Sequence, residues 1–535
     1  MNVILGINGA PIQGHDAAAA LIVDGSIVAV VEEERLCRVK KSIGIPPVKS
    51  VQEVIHIAGI KPVDIDTVAI PWVPYAMGYD GSDYEQNLRS WLKELGFRDR
   101  ELKIRFIEHH AAHAWSGLIF APKLKGRKYS ILVIDGSGES TGGAAFLYDQ
   151  GLKCLWHLEQ TSSLGIYYEA ATNYLGFKWG EEGKTMGLAA YGRQLGIEMP
   201  QISDRRFSSP LPKWSVEEIS PKHRHEEIRK KFVREMEKLH GDYLTFNQRA
   251  DVALAAQGVV EKQIMSYVRE LTKDVDGFVL AGGVALNCTI NEYVAKYCRL
   301  NELEFIVPPP ASDTGVALGS AVAAFFELSE NLQPIREPFL GGSFTPEDVI
   351  TKIQSLGLQV KQVNPLEIAS MLFTDNFICG WFEGRSEIGP RALGKRSIIA
   401  RPDSTAIRDR INVLKGRESW RPLAPSVTDF EFKRSFPNSI PSRHMLINAT
   451  SSNCSKHLCG VIHVDGTSRP QVVCDCGPYL SLLSDVGIIS GYEAVICTSF
   501  NRAGEPIVYN PEEAVAVARA MRLDALIGDG WMVKL

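Results

Sequence analysis

Apolar residues along this chain fall into short runs separated by glycine-rich turns, and the pattern occurs twice. Val3-Ile4-Leu5-Gly6-Ile7 predicts a strand, Asn8, Gly9 and Gly14 a small-residue loop, and residues 20–30 a hairpin turning at Asp24-Gly25. The second copy starts with the strand 131–135, continues through Gly136, Gly138, Gly142 and Gly143, and follows with a strand at 145–148 that turns at Asp149-Gln150-Gly151. Asn8 and Asp135 hold equivalent points. The repetition predicts a duplicated α/β fold with a nucleotide cleft between its halves, the alternative being a chance match of two short patterns. Residues 252–271 carry apolar positions three and four apart, as an amphipathic helix does. A strand at 278–280 then enters the loop Gly282-Gly283-Val284-Ala285-Leu286-Asn287, and a strand at 305–307 precedes Ser312-Asp313-Thr314-Gly315 and a small-residue helix. Strand–glycine–helix junctions leave backbone amides free for an anion such as phosphate. Residues 201–245 are dense in mixed charge and predict a solvated helical insert rather than a nucleic-acid contact. Around 328–345, Ser329, Glu330, Pro334, Pro338, Gly341, Gly342 and Ser343 mark a domain boundary.

The chain has 535 residues and a formal net charge of −5, which argues against nucleic acid or an anionic membrane as principal partner. Hydrophobic residues at 45% and charged residues at 23% are ordinary for a soluble globular chain. With no run of 18 apolar residues and no basic region after Met1, neither a membrane span nor a signal peptide is expected, and the expected location is cytoplasmic. Ten cysteines without a CxxC pair read as reduced thiols. Cys454, His457, Cys459, His463, Cys474 and Cys476 cluster in sequence but fit no standard zinc spacing.

Two groups of residues carry candidate chemistry. His109 and His113 stand four apart, so on a helix both imidazoles project from one face. Asp135 and Asp313 follow predicted strands, where α/β folds place ligands. Together they form a mixed N/O set suited to Fe²⁺, Mn²⁺ or Zn²⁺, although an HxxxH pair alone is often an accident of the helix surface. The C-terminal part is rich in cations beside glycine: Arg391, Lys395 and Arg396 in residues 389–397, Lys415 and Arg421 in 414–422, Arg469 in 465–469, and Ser499 with Arg502 in 498–506. Arginine forks, lysine and hydroxyls are what a phosphate dianion requires, against the plainer reading of solvated surface charge. No serine elbow, GxGxxG loop or complete phosphate loop occurs; Gly183-Lys184-Thr185 lacks the upstream glycine.

In order along the chain, Gly14-His15-Asp16, residues 109–113, 135–138, 183–189, 282–287, 312–315, 389–396, 415–422, 465–469 and 498–506 resemble the ATP-dependent O-carbamoyltransferases. That family includes the nodulation-factor (NodU), cephem and aminoglycoside antibiotic carbamoyltransferases. The resemblance implies a TsaD-like domain of the actin/sugar-kinase/Hsp70 (ASKHA) type at 1–335 and an α/β YrdC-like domain at 340–535. The latter would convert carbamoyl phosphate and ATP to carbamoyl-adenylate; the former would pass the carbamoyl group to a hydroxyl of a small natural-product acceptor. It implies that Lys415, Arg421, Arg469 and Ser499, with Arg391 beside them, bind carbamoyl phosphate, and that Lys415 and Arg421 also stabilise the departing charge. His109, His113, Asp135 and Asp313 would hold a divalent metal, Fe²⁺ foremost, with Mg²⁺ accompanying ATP. Ser137, Gly138, Lys184, Gly282, Gly283, Asn287 and Ser312 would lie around the nucleotide, and His15 would activate the acceptor hydroxyl. A homodimer is compatible with the family. Lys395 stands where the family usually has asparagine, and Arg502-Ala503 also departs from its pattern. A threonylcarbamoyl-type tRNA-modifying enzyme and a non-catalytic nucleotide- and metal-binding module remain as alternatives.

Overall fold

The computed structural model describes residues 2–10, 14–98, 101–208, 211, 221–328, 333–452 and 455–535. Ser329, Glu330 and Cys454, singled out above, lie outside the described residues. Two compact units form: Met1–Glu33 with Lys41–Glu337, and Glu34–Lys40 with Pro338–Leu535.

In the first unit, β1 (Val3–Asn8), β2 (Ala18–Val23) and β3 (Ser26–Glu32) make an antiparallel meander. Strands β4 (Thr67–Ile70) and β5 (Lys103–Phe106) add in parallel on the other side of β1. The second half repeats this order and sense. Strands β6 (Lys128–Ile134), β7 (Thr141–Asp149) and β8 (Leu152–Glu159) form the meander, a short β9 (Arg206–Phe207) extends it beyond β8, and β10 (Gly277–Ala281) and β11 (Glu304–Ile306) follow in parallel beyond β6. The duplication expected from two glycine loops is thus a property of the topology. The hairpin signal acts as anticipated: Asp24 (φ 48°) and Gly25 (φ 82°) are both left-handed, which matches the twist of the flanking strands. Every residue of β1 is buried, consistent with an unbroken apolar run in a strand covered on both faces.

A helix follows the last strand of each half, His109–Leu118 after β5 and Val316–Phe326 after β11, and the two pack against each other. Small residues permit the approach. A Cβ built on Gly319 would land inside the Ala112 carbonyl, and one on Gly6 inside the carbonyl of Ala317. Gly319→Ala is therefore expected to force the helices apart and to cost about 1–3 kcal/mol. Thermal unfolding checks this; a wild-type Tm would show that the contact has slack.

The charged insert differs from expectation. Its helix, Pro221–His240, buries Ile228, Phe232 and Met236 at intervals of four, with Phe232 packed edge-on against Tyr167 at 5.2 Å. One face is core, and the density of charge on the other positions masked it in the sequence.

The second unit centres on an eight-stranded mixed sheet: β12 (Lys361–Gln362), β13 (Cys379–Phe382), β14 (Arg396–Ala400), β15 (Ala424–Val427), β18 (Gln471–Val472), β19 (Ala494–Ser499), β20 (Ala525–Gly528) and β21 (Trp531–Lys534). A separate ribbon pairs β16 (Ala449–Thr450) with β17 (Thr467–Ser468). Trp381 and Trp531 are fully buried in its core. The helix Thr405–Lys415 ends where Gly416 takes a left-handed φ of 65°, which places Lys415 on its last turn. Segment Glu34–Lys40 belongs to this unit: Arg35 Nη2 donates to the Gly389 carbonyl (2.8 Å), and Arg38 to the carbonyls of Pro506 (2.9 Å) and Ile507 (2.6 Å).

Candidate active site

The His109–Leu118 helix aims both imidazoles at one point. His109 Nε2 and His113 Nε2 stand 3.1 Å apart, a separation set by one helical turn. Asp135, just past β6, brings Oδ2 to 3.4 Å from His109 and 3.6 Å from His113. Asp313, ahead of the Val316–Phe326 helix, brings Oδ1 to 3.5 Å and 3.2 Å from the same atoms. A tetrahedron with metal–ligand bonds of about 2.1 Å has edges of about 3.4 Å, so these spacings fit a divalent ion. The donors, two imidazoles and two carboxylates, suit a borderline or hard transition metal. Charge fits as well. Burial opposes protonation of His109, yet Asp313 and Asp135 outweigh it and push its pKa up to about 10. His113 is raised against burial by the same two carboxylates. Burial resists ionisation of Asp135 too, but the imidazoles hold its carboxyl well below the usual range. Two buried carboxylates thus call for two positive charges, which two protons or one divalent ion can supply.

Neighbours hold these side chains in place. Gly283 N donates to Asp135 Oδ1 (3.0 Å), and Glu139 Oε1 accepts from the amides of His109 (3.0 Å) and Val73 (3.1 Å), taking the place of a side-chain cap at the helix start. Trp72 stacks on His109 with centroids 4.1 Å apart. His15, its side chain 42% exposed, lies next to the cluster. Its Nδ1 is 2.9 Å from Asp16 Oδ2 and 3.8 Å from Asp313 Oδ2, and its ring meets the edge of Trp179 at 4.9 Å. Burial opposes its charge, but Asp16 and Asp313 prevail and raise its pKa. Lys41 covers the Trp179 ring at 3.8 Å.

The residues expected around a nucleotide divide. A Cβ on Gly282 (φ 87°) would strike the Ile134 carbonyl, Gly283 N binds Asp135, a Cβ on Gly138 would strike the His110 ring, and Ser312 Oγ lies 3.3 Å from Thr314 Oγ1 next to Asp313. These four gather around the His/Asp cluster. Ser137 Oγ accepts from Gln160 Nε2 (2.6 Å) beside them. Asn287 is occupied otherwise: it exchanges hydrogen bonds with Gln257 (2.8 and 3.1 Å) and caps the helix Cys288–Leu300 by accepting from Ile290 N. Lys184 pairs with Glu181 (2.7 Å).

In the second unit, Lys415 is buried. Its Nζ donates to the Ser499 carbonyl, the Asn501 carbonyl (2.8 Å) and Asn501 Oδ1 (3.0 Å), with Ser499 Oγ at 3.4 Å. Burial holds it well below the usual lysine range, and Arg417 and Arg421 add repulsion. Arg417 is likewise pushed down to about 9 by burial and by Arg421 and Arg469. Asn412 Nδ2, donating to the carbonyls of Ser419 (3.3 Å) and Arg421 (3.1 Å), holds this segment against the helix. The buried Nε atoms of Arg417 and Arg469 make no hydrogen bond. Mutually repelling cations of this kind are what binding of a dianion requires.

Sequence reasoning missed Arg417 and Asn501; the left-handed Gly416 that turns the chain into Arg417 was the available signal. It also overvalued the 389–397 loop as an anion site. Lys395 pairs with Glu383 (2.7 Å) and Asp475 (3.4 Å), and the fully buried Arg396 binds the carbonyls of Glu383 (2.6 Å), Gly384 (2.9 Å) and Lys395 (3.0 Å). Two of its three cations are therefore structural. In the cysteine-rich stretch, His457 is bound to Glu431 (2.8 Å), and Cys474 and Cys476 are exposed free thiols. No helix among the described residues is long and apolar enough to cross a membrane.

Residues 4–322 match the family model described as Carbamoyltransferase N-terminus, and residues 369–534 the one described as Carbamoyltransferase C-terminus. The nodulation protein NolNO of Sinorhizobium fredii is 31% identical, over 97% of this chain and 79% of its own. The 3'-hydroxymethylcephem-O-carbamoyltransferase of Streptomyces clavuligerus is 26% identical over 97% of both chains. Full-length HypF in its phosphate- and nucleotide-bound form is 15% identical with a TM-score of 0.36, spanning 62% of this chain and 56% of that one.

Proposed function

From a chain that belongs to the carbamoyltransferase family, matched over residues 4–322 and 369–534, we propose an ATP-dependent O-carbamoyltransferase acting on a hydroxyl of a small natural-product acceptor. The observation that carries this reading is His15, held by Asp16 at 2.9 Å with its ring beside the Asp313 ligand of the His/Asp cluster. An alcohol is a poor nucleophile at neutral pH and needs a base within hydrogen-bond reach. Asp16 accepts a hydrogen bond from Nδ1–H and leaves Nε2 as the accepting nitrogen, so His15 removes the acceptor's proton as the carbamoyl carbon is attacked.

Two half-reactions divide between the units. In the second, the YrdC-like part, carbamoyl phosphate, ATP and water give carbamoyl-adenylate, phosphate and pyrophosphate. Lys415, Arg421, Arg469 and Ser499, with Arg391 and the newly recognised Arg417, bind carbamoyl phosphate and offset charge on the phosphate that departs. In the first, Ser137, Gly138, Gly282, Gly283 and Ser312 line the adenylate with backbone amides and hydroxyls, Lys184 and Asn287 standing further out. His109, His113, Asp135 and Asp313 would hold the divalent ion, Fe²⁺, Mn²⁺ or Zn²⁺, which when bound offsets negative charge on the adenylate phosphate. AMP leaves as the carbamate ester forms.

Trp179, 38% exposed beside His15, offers a stacking surface to the acceptor. Trp179→Ala is expected to raise the acceptor KM about threefold to tenfold and leave adenylate formation unchanged. An unchanged KM would remove Trp179 from the acceptor site.

The overall reading is tested by pyrophosphate release from ATP without any acceptor. Release that depends on carbamoyl phosphate is expected. A folded, metal-replete protein that releases none, with or without candidate alcohols, would favour a non-catalytic nucleotide- and metal-binding module.

A further inference from the structure

A second group of ligand-type side chains lies beside the first and has no part in the chemistry above. Glu108, His110 and His157 bring Oε1, Nε2 and Nδ1 to within 4.8 Å of one another. We propose that these three residues hold a second divalent transition-metal ion, of the zinc type, separate from the ion of His109, His113, Asp135 and Asp313.

Three observations converge. First, His110 is 0% and His157 4% exposed, yet none of the three converging atoms makes a hydrogen bond. Leaving buried polar atoms unpaired costs about 1–3 kcal/mol each, so three in one place require an explanation. Second, the opposite nitrogen of each ring is held. Thr141 Oγ1 lies 3.0 Å from His110 Nδ1, and Cys154 Sγ lies 3.4 Å from His157 Nε2. Partners of this kind fix the tautomer and orientation of a metal-ligating histidine and leave the other nitrogen for the ion. Phe207 stacks on His157 at 5.3 Å and fixes the ring plane further. Third, Glu108 occupies the N-cap position of the His109–Leu118 helix but does not cap it with its side chain; its Oε1 instead stands 3.4 Å from His157 Nδ1.

The donor set, two imidazoles and one carboxylate, is that of zinc sites with three protein ligands and one open position. Glu108, with its side chain 19% exposed, marks the way in. The bound ion would tie the start of the His109–Leu118 helix to β8 and so steady the helix that carries His109 and His113.

Elemental analysis of purified protein, incubated separately with Zn²⁺, Mn²⁺ and anaerobic Fe²⁺ and then desalted, tests this. Wild type is expected to retain two equivalents of ion per chain, His157→Gln and Glu108→Gln one each, and His113→Ala the one that the His157 variant lacks. A concentration-dependent rise in Tm when Zn²⁺ is added to His113→Ala would place an ion at the second cluster in the absence of the first. One equivalent in wild type, lost in His113→Ala but kept in His157→Gln, would overturn the second site and leave the first intact. One equivalent lost in His157→Gln but kept in His113→Ala would overturn the first assignment instead. If the His113 variant does not fold, the wild-type count decides: two equivalents support the proposal and one defeats it.

Discussion

His113→Ala is expected to lose the ion of the His/Asp cluster and to slow carbamoyl transfer by about 10³-fold, while carbamoyl-phosphate-dependent pyrophosphate release continues at the wild-type rate. His113 Nε2 lies 3.1 to 3.6 Å from all three of its fellow ligand atoms, so truncation removes one corner of the tetrahedron. Without that corner, Asp135 and Asp313 face each other across a single imidazole, and their repulsion weakens what affinity remains. Charge stabilisation by a bound divalent ion is worth several kcal/mol, and each ~1.4 kcal/mol is tenfold in rate, which sets the size of the loss. Separate assays of the two half-reactions, with elemental analysis, check the outcome. Full metal content, or equal loss of both half-reactions, would remove His113 from the role given to it.

Lys415→Met should have the opposite profile: carbamoyl-phosphate-dependent pyrophosphate release falls about 10²- to 10³-fold, and a preformed carbamoyl-adenylate is still turned over. Stability should barely change. Lys415 is buried among oxygens of Ser499 and Asn501, and no carboxylate pairs with it among the described residues. Burial and the neighbouring arginines already disfavour its charge, so a methionine of similar length relieves repulsion while giving up hydrogen bonds. A Tm shift under about 4 °C is expected, corresponding to ~1 kcal/mol. Unchanged pyrophosphate release would show that the ammonium is structural, and a collapse in Tm would show that its hydrogen bonds outweigh its burial.

Local signals in the sequence were reliable where one residue type has one physical use. The Asp24-Gly25 turn and the two glycine loops announced the duplicated topology, and the four-residue step from His109 to His113 announced a shared helix face. Long-range pairing was not visible. Nothing near His110 suggests that β8 delivers His157 beside it, because that contact exists only once β7 and β8 pair through Ala144 and His157. Cations were the hardest to sort. Lys395, Arg396, Lys415 and Arg417 look alike as a string of basic residues beside glycine. Only the fold distinguishes Lys395, neutralised by Glu383, from Arg417, crowded by Arg421 and Arg469. The Pro221–His240 helix was misjudged for the same reason, since its apolar positions are few and its charges many.

Segment Glu34–Lys40 bears on how this protein can be divided and made. Arg35 and Arg38 donate to the carbonyls of Gly389, Pro506 and Ile507, all within the second unit. A gene split at the boundary after Glu337 would therefore yield a C-terminal product lacking one of its own pieces and an N-terminal product carrying an arginine-rich strip without these carbonyls. During synthesis the strip emerges among the first residues, and its carbonyl partners emerge near the end. Folding of the second unit is complete only when the last part of the chain meets one of the first, so fission into two separately encoded proteins is closed to this architecture unless that segment travels with its acceptors.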